Sequence, residues 1–249
     1  MTRLGWIRLA VVAGFVLLIE VLCRTGVIGK LTMIPPSAMA VELWALLRSG
    51  KADADIVQTL RNVAVAFALS VVGGFVLGAG LHSVTRLRRA VDPFLATYYA
   101  IPFFAFYPLL VSIFGLNAAP IILIGFLFGV VAMIINTING LDRVPRVLLK
   151  TARVCGMGPL RTAAMIKLPS AAPHLFTGAK LAIAYSFIGV IAAEFIMSTS
   201  GLGYSIAYAF NNFDNKTMYA LMLFIITLVT VINAVFHVWE RRIMARRGR

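Results

Sequence analysis

The chain has 249 residues, 61% of them hydrophobic, with a mean hydropathy of +0.93, well above the roughly half-apolar make-up of a soluble domain. Its formal net charge of +14 would point to nucleic acid in a soluble protein. Here the cations flank apolar runs and form no domain of their own, so the charge fits membrane loops beside anionic lipid, and nucleic acid is excluded as a partner.

In chain order, the first apolar run covers residues 6–22, with Trp6 as an interfacial anchor, Arg8 able to snorkel and Glu20 near the other end. Glu20 and the lack of small residues after it argue for a retained span over a cleaved signal peptide. Ile34-Pro35-Pro36-Ser37 is a break, with Ser37 placed to cap an amphipathic helix over 38–48 that ends at Ser49-Gly50 and is too short to span. Asp53, Asp55 and Arg61 lead into a second span over 62–81, where Gly74 and Gly78 form a small-residue packing face. A short basic loop with His82, Arg86, Arg88 and Arg89 follows. The third span, 93–114, is dense in aromatics and holds Pro102 and Pro108, which predict a kink or break; such breaks persist where protein or a cavity satisfies the backbone. This span, with Tyr107, is the first candidate to line a pathway, and a kinked packing helix is the competing reading. Gly115-Leu116-Asn117 turns the chain into a fourth span over 118–138, ending near Asn136 and Thr137. The fifth covers 173–197 and carries Lys180 and Glu194, an outer loop covers 198–216, and the sixth span covers 218–239 before a basic tail.

Between the fourth and fifth spans lies a polar, basic segment with Lys150, Arg153, Arg161 and Lys167, the turn signal Gly156-Met157-Gly158-Pro159, and a closing Pro169. With both termini inside, one side of the membrane holds Arg3, Arg8, Arg86, Arg88, Arg89, every cation from 143 to 167, Lys180 and the tail arginines. The other side holds Arg24, Lys30, Arg48, Lys51, Arg61 and Lys216. That bias predicts six spans with the basic segment in the cytoplasm. Cys23 and Cys155 then fall on opposite sides, so no disulfide joins them. A helix is expected over 147–155, with Gly156 as its left-handed C-cap.

The spacing of this segment resembles the EAA loop of bacterial ABC importer permeases: E-A-A, three residues, G, nine residues, I-x-L-P. Ala152, Gly156, Ile166, Leu168 and Pro169 fit that pattern, whereas Lys150 and Thr151 stand where the pattern has Glu and Ala. The charge inversion at Lys150 puts in doubt any ion pair the family makes there. Weaker matches run from about residue 55 to 240: Thr59-Leu60-Arg61, Ile101-Pro102, Pro108-Leu109, Asn136-Thr137 with Gly140, Ala193-Glu194 and Gly201-Leu202-Gly203-Tyr204. Ala100 and Ala132 depart, standing where many relatives have Pro. The likeness is closest to permeases of the nitrate, sulfonate, taurine and thiamine-precursor type.

The resemblance implies an all-α, polytopic membrane protein with the type I ABC importer permease fold and cytoplasmic coupling helices. Residues 1–61 would supply a first helix and outer amphipathic segment, 62–240 the permease domain with a coupling loop over 140–170, and 241–249 a cytoplasmic tail. It also implies two ABC ATPase subunits docked on Lys150, Thr151, Ala152, Arg153, Gly156, Ile166, Leu168 and Pro169. A second permease copy and a periplasmic or lipid-anchored solute-binding protein complete the complex, set in the lipids of a bacterial inner membrane. The solute would be small, often anionic or heterocyclic. ATP and Mg would be used by the ATPase, with no cofactor, metal or catalytic residue expected in this chain, which lacks a Walker A motif. Pathway or gate candidates are Pro102, Tyr107, Pro108, Asn136 and Glu194. Glu194 is expected near the outer gate in a structural hydrogen bond or salt bridge, since intramembrane acids face a partner or a cavity. The rival readings are an ion-gradient-driven transporter or channel, against which no inverted pair of broken helices is seen, and a membrane enzyme, against which no polar catalytic cluster is seen.

Overall fold

The computed structural model describes residues 3–29 and 32–247. Of the charges counted for orientation, Lys30 and Arg249 lie outside the described residues, as do the side chains of Arg3, Arg8, Arg241, Arg242, Arg246 and Arg247. Among the described residues all regular structure is helical: α1 (Arg3–Arg24), α2 (Pro36–Ser49), α3 (Asp53–Ser83), α4 (Thr85–Thr97), α5 (Tyr107–Phe114), α6 (Ala118–Asp142), α7 (Arg146–Val154), α8 (Pro159–Thr162), α9 (Leu168–Met197), α10 (Leu202–Asn211) and α11 (Asn215–Arg247).

Four stretches are long and apolar enough to cross a bilayer: Asp53–Ser83, Ala118–Asp142, Pro159–Ile196 and Asn215–Glu240. A fifth is the broken pair Thr85–Ala100 and Phe103–Phe114, bent by 86°. The expected count of about six adds α1, whose 22 residues have the length of a span and leave Val11, Phe15 and Leu18 exposed, as a lipid-facing helix would.

The centre of the bundle is α6, held between α3 and α9 by close backbone approach. A Cβ on Gly74 would lie 2.6 Å from Met133 Cβ and 2.7 Å from the Val130 carbonyl; one on Gly78 would lie 2.8 Å from Thr137 Cβ. On the other flank, a Cβ on Gly125 would sit 2.6 Å from Val190 Cγ2. Small residues let these helices touch along their length, which is how packing is gained where lipid removes the hydrophobic drive. The apolar core beside them gathers Val63, Ala66, Tyr107, Ile124, Phe187 and Val190.

Several expected elements differ in extent. Ser37 does not cap α2: it is the second residue of the helix, and the carboxylate of Glu20 on α1 accepts its N–H at 3.0 Å and its hydroxyl at 2.6 Å. The second span begins nine residues before the expected position 62, so Asp53, Asp55 and Arg61 lie on α3 itself. The basic loop after it is helical from Thr85, and Arg88 grips Asp142 at the end of α6 at 2.7 and 2.8 Å. In the third span the break falls between Ala100 and Phe103, while Pro108 sits in the first turn of α5, where its missing N–H has no helical partner to lose. The expected outer loop contains α10, and the tail from residue 241 continues α11.

The contacts sort the helix ends into two groups. One end of the bundle joins the C-termini of α3 and α6 through Asp142, with Lys180 of α9 bonded to Glu240 of α11 at 3.2 Å. This is the end that carries α7. The opposite end joins the start of α3 to the end of α9 and the start of α10.

Candidate functional site

Two places in the fold concentrate polar chemistry, one at each end. The first is an elbow formed by α7, α8 and the turn between them. Val144 and Ala152 anchor it, Ala152 with 1% of its surface exposed. At its C-terminus the N–H of Gly156 bonds the Arg153 carbonyl at 3.1 Å and the N–H of Met157 bonds the Ala152 carbonyl at 2.9 Å. Gly156 has φ +62°, so this is the paired left-handed cap that the position was expected to form. No atom lies within 4 Å of where a Gly156 Cβ would stand, so that position faces open space. Around it Val154 and Leu160 are 88% and 87% exposed. The elbow thus leaves these apolar side chains uncovered by the rest of the chain.

The remaining elbow residues fall into two sets. Lys150, Thr151 and Arg153 are exposed on α7, with the Thr151 hydroxyl bonded back to the Val147 carbonyl at 3.1 Å. Ile166 lies in a π turn, Ala163–Lys167, and Leu168 and Pro169 open α9 directly after it. The wider turn precedes Pro169 and Pro173, residues that each remove a helical N–H. The elbow therefore runs without a break into the helix of the fifth span.

The second place is a buried polar knot at the opposite end. Glu194 has 0% of its surface exposed. Its carboxylate accepts the Thr59 hydroxyl at 2.7 Å, the Asn62 amide at 3.1 Å and the Gly203 N–H at 3.2 Å. The Thr59 oxygen in turn accepts the Leu202 N–H at 2.8 Å, and Asp55 accepts the Gly201 N–H at 2.8 Å and the Ser205 hydroxyl. Gly201, at φ +100°, passes so close that a Cβ would lie 2.5 Å from the Glu194 carboxyl carbon; at Gly203 a Cβ would lie 2.5 Å from the Ile191 carbonyl. The Gly201-Leu202-Gly203 run is glycine at the two positions where backbone crosses that carboxylate. The knot fastens α3, α9 and α10 together.

The pathway candidates do not form one lining. Tyr107 is buried between the apolar core and a small polar cavity, and Glu194 lies in the knot. Pro102 and Pro108 are exposed at the bent span. Asn136, half-buried at the elbow end, bonds back to the Ala132 carbonyl at 2.8 Å and faces Gly178 of α9. A cavity of about 680 Å³ beside Phe104, Ile188 and Met222 has hydrocarbon walls and offers a polar solute no hydrogen bond. A smaller one, about 200 Å³ beside Gln58, Tyr107, Asn117 and Thr199, is polar. Among the described residues no group of three or more His, Cys, Asp or Glu could hold a metal.

The partners of Glu194 were not singled out from the sequence as site residues, although a signal was present. Asp55, Thr59 and Asn62 recur at i, i+4 and i+7, which places them on one face of a helix entering an apolar span.

Comparison with known proteins gives consistent matches. A family model described as "Binding-protein-dependent transport system inner membrane component" matches residues 70–249. A nitrate import permease protein of Leptolyngbya laminosa is 27% identical over 180 residues, 72% of this chain; the chain spans 64% of that protein's length. A putative aliphatic sulfonates transport permease protein of Bacillus subtilis is 25% identical over 247 residues, covering 99% of this chain and 90% of the relative. Among solved structures, a chain of the MetNI methionine ABC transporter in an inward-facing conformation matches with a TM-score of 0.65. It is 20% identical and covers 80% of this chain and 96% of that one, a likeness of fold.

Proposed function

The chain belongs to the family of binding-protein-dependent transport system inner membrane components, and from that premise we propose how its two ends are used. Its role is the translocation subunit of an ATP-binding-cassette importer, and its fold is the type I permease fold of such importers. Two copies of the chain enclose the pathway. An ATPase subunit seats on the elbow of each copy, and a solute-binding protein delivers the solute at the opposite end. The termini and the elbow lie on the cytoplasmic side of a bacterial inner membrane, in line with the bias of Lys and Arg toward that side. The solute is a small anion or heterocycle of the nitrate and sulfonate class, in keeping with the relatives.

The observation that carries this reading is the exposed elbow: Gly156 facing open space between Val154 and Leu160, on a segment continuous with a membrane-spanning helix. ATP with Mg is hydrolysed in the separate subunit, whose closure displaces the elbow and rocks the attached helices. Gly156→Trp tests this. A Cβ there meets nothing within 4 Å, but φ +62° costs any L side chain about 1–2 kcal/mol, so Gly156→Ala, which carries the same strain without the bulk, is run beside it. Both variants are expected to keep the elution profile in detergent, and Gly156→Trp alone to lose the copurifying ATPase and transport. A Gly156→Trp variant that retains both the ATPase and coupled transport contradicts the proposal.

A further inference from the structure

The surface of α7 is divided lengthwise. Arg146, Lys150 and Arg153 recur at i, i+4 and i+7, within about 60° of arc on an α-helix, and all three are exposed. Beside them runs a second exposed strip, Val147, Thr151 and Val154, while Ala152 on the reverse side is buried against the elbow. Cations one turn apart on a helix repel one another. Neither these three nor Arg143, Arg161 and Lys167 around them form an ion pair among the described residues. No Asp or Glu occurs in the sequence between Asp142 and Glu194, and Asp142 is already held by Arg88. The chain has thus gathered positive charge on an exposed face of its elbow, with no carboxylate among the described residues paired to it.

We propose that α7 seats in an ATPase groove whose wall carries carboxylates facing Arg146, Lys150 and Arg153, beside an apolar floor for Val147 and Val154. The inference rests on the docking reading above and adds the polarity of the partner. The family pattern has Glu where this chain has Lys150, so an ATPase built for that pattern presents the wrong charge here. Lys150 both attracts the matching subunit and rejects a mismatched one. An anionic bilayer is the competing occupant. The exposed apolar side chains of α7, Val147, Leu148 and Val154, are few to hold a helix of nine residues on lipid.

The test copurifies the full-length permease with its ATPase in detergent without added lipid, from about 50 to about 500 mM salt. Lys150→Arg, Lys150→Glu and Gly156→Trp are carried in parallel. Retention of the ATPase is expected to fall with salt, to be unchanged in Lys150→Arg, and to weaken about tenfold or more in Lys150→Glu. Reversing a carboxylate of the ATPase that cross-links near α7 is expected to restore Lys150→Glu. If Lys150→Glu holds the ATPase as well as the wild type while Gly156→Trp loses it, docking stands and the acidic groove is refuted. If neither substitution changes retention, the docking reading itself falls. If Lys150→Glu keeps the ATPase but carries less phosphatidylglycerol through purification than the wild type, the basic strip belongs to the membrane and the proposal is overturned.

Discussion

Removing the Glu194 side chain strips three acceptor bonds from the polar knot at once, those from Thr59, Asn62 and Gly203. Side-chain hydrogen bonds inside membrane proteins are worth about 0.6 kcal/mol on average and up to about 1.7 kcal/mol, so Glu194→Ala is expected to destabilise the fold by about 2–5 kcal/mol. Glu194→Gln is a different perturbation. The Asn62 carbonyl oxygen is buried and has no partner, so the Asn62 amide can turn over and present that oxygen to the new NH2 group. The Gln carbonyl then remains to accept from Thr59 and Gly203, and the loss should stay below about 1 kcal/mol. Thermal midpoints of the purified permease in detergent, followed by size-exclusion of the surviving species, separate the two. The reasoning fails if Glu194→Ala melts with the wild type, or if Glu194→Gln is as damaged as Glu194→Ala. A Glu194→Gln, Asn62→Ala double variant should fall back toward Glu194→Ala, because the compensating oxygen is gone.

The same melting assay checks two further substitutions. Gly201→Ala combines φ +100° with a Cβ 2.5 Å from the Glu194 carboxyl carbon and should lose about 2 kcal/mol or more; Gly158→Ala, with nothing within 4 Å and an ordinary φ, should melt with the wild type. Gly74→Ala drives a methyl against Met133 and the Val130 carbonyl and should part α3 from α6. Gly80→Ala on the same helix meets nothing within 4 Å and should be neutral or gain up to about 1 kcal/mol of helix propensity. For orientation, a membrane-impermeant maleimide should modify exposed Cys155 in inside-out vesicles and spare buried Cys23. Labelling of Cys155 in intact spheroplasts would mean the elbow lies outside.

Local signals predicted the local structure well. The amphipathic stretch ending at Ser49-Gly50 is α2, closed by Gly50 at φ +68°, and the turn expected at Gly115-Leu116-Asn117 leads directly into α6. The Gly156 cap followed from spacing and the need for a left-handed residue after a short helix. The failures came where a distant partner or a choice between equivalent residues decided the outcome. Ser37 had the chemistry of a cap, but Glu20 from another helix supplies the acceptor. Two prolines signalled a break in the third span. The break falls at Pro102, whose predecessor Ile101 takes the extended conformation that a following proline favours, and Pro108 merely opens the next helix. Helix α10 hid in a stretch rich in Gly and Asn, although Leu202, Ile206 and Ala209 are apolar at i, i+4 and i+7 and pack its buried side. Glu194 stood out as an acid in an apolar span, while its partners showed only as a polar face on α3, legible once the two helices are side by side.

The helical stretch from Pro159 to Ile196 reaches from the elbow to the Glu194 knot in one piece, 38 residues or about 57 Å. Its pliable features, the π turn and Pro173, lie toward the elbow; beyond them the chain continues as helix to the carboxylate. A push at the elbow must cross those two features first; past Pro173 no further proline interrupts the helix before Glu194. Linkage makes any such coupling two-way: a ligand at the knot's end that shifts the grip at the elbow is itself held differently, by the same free energy, when the elbow is held.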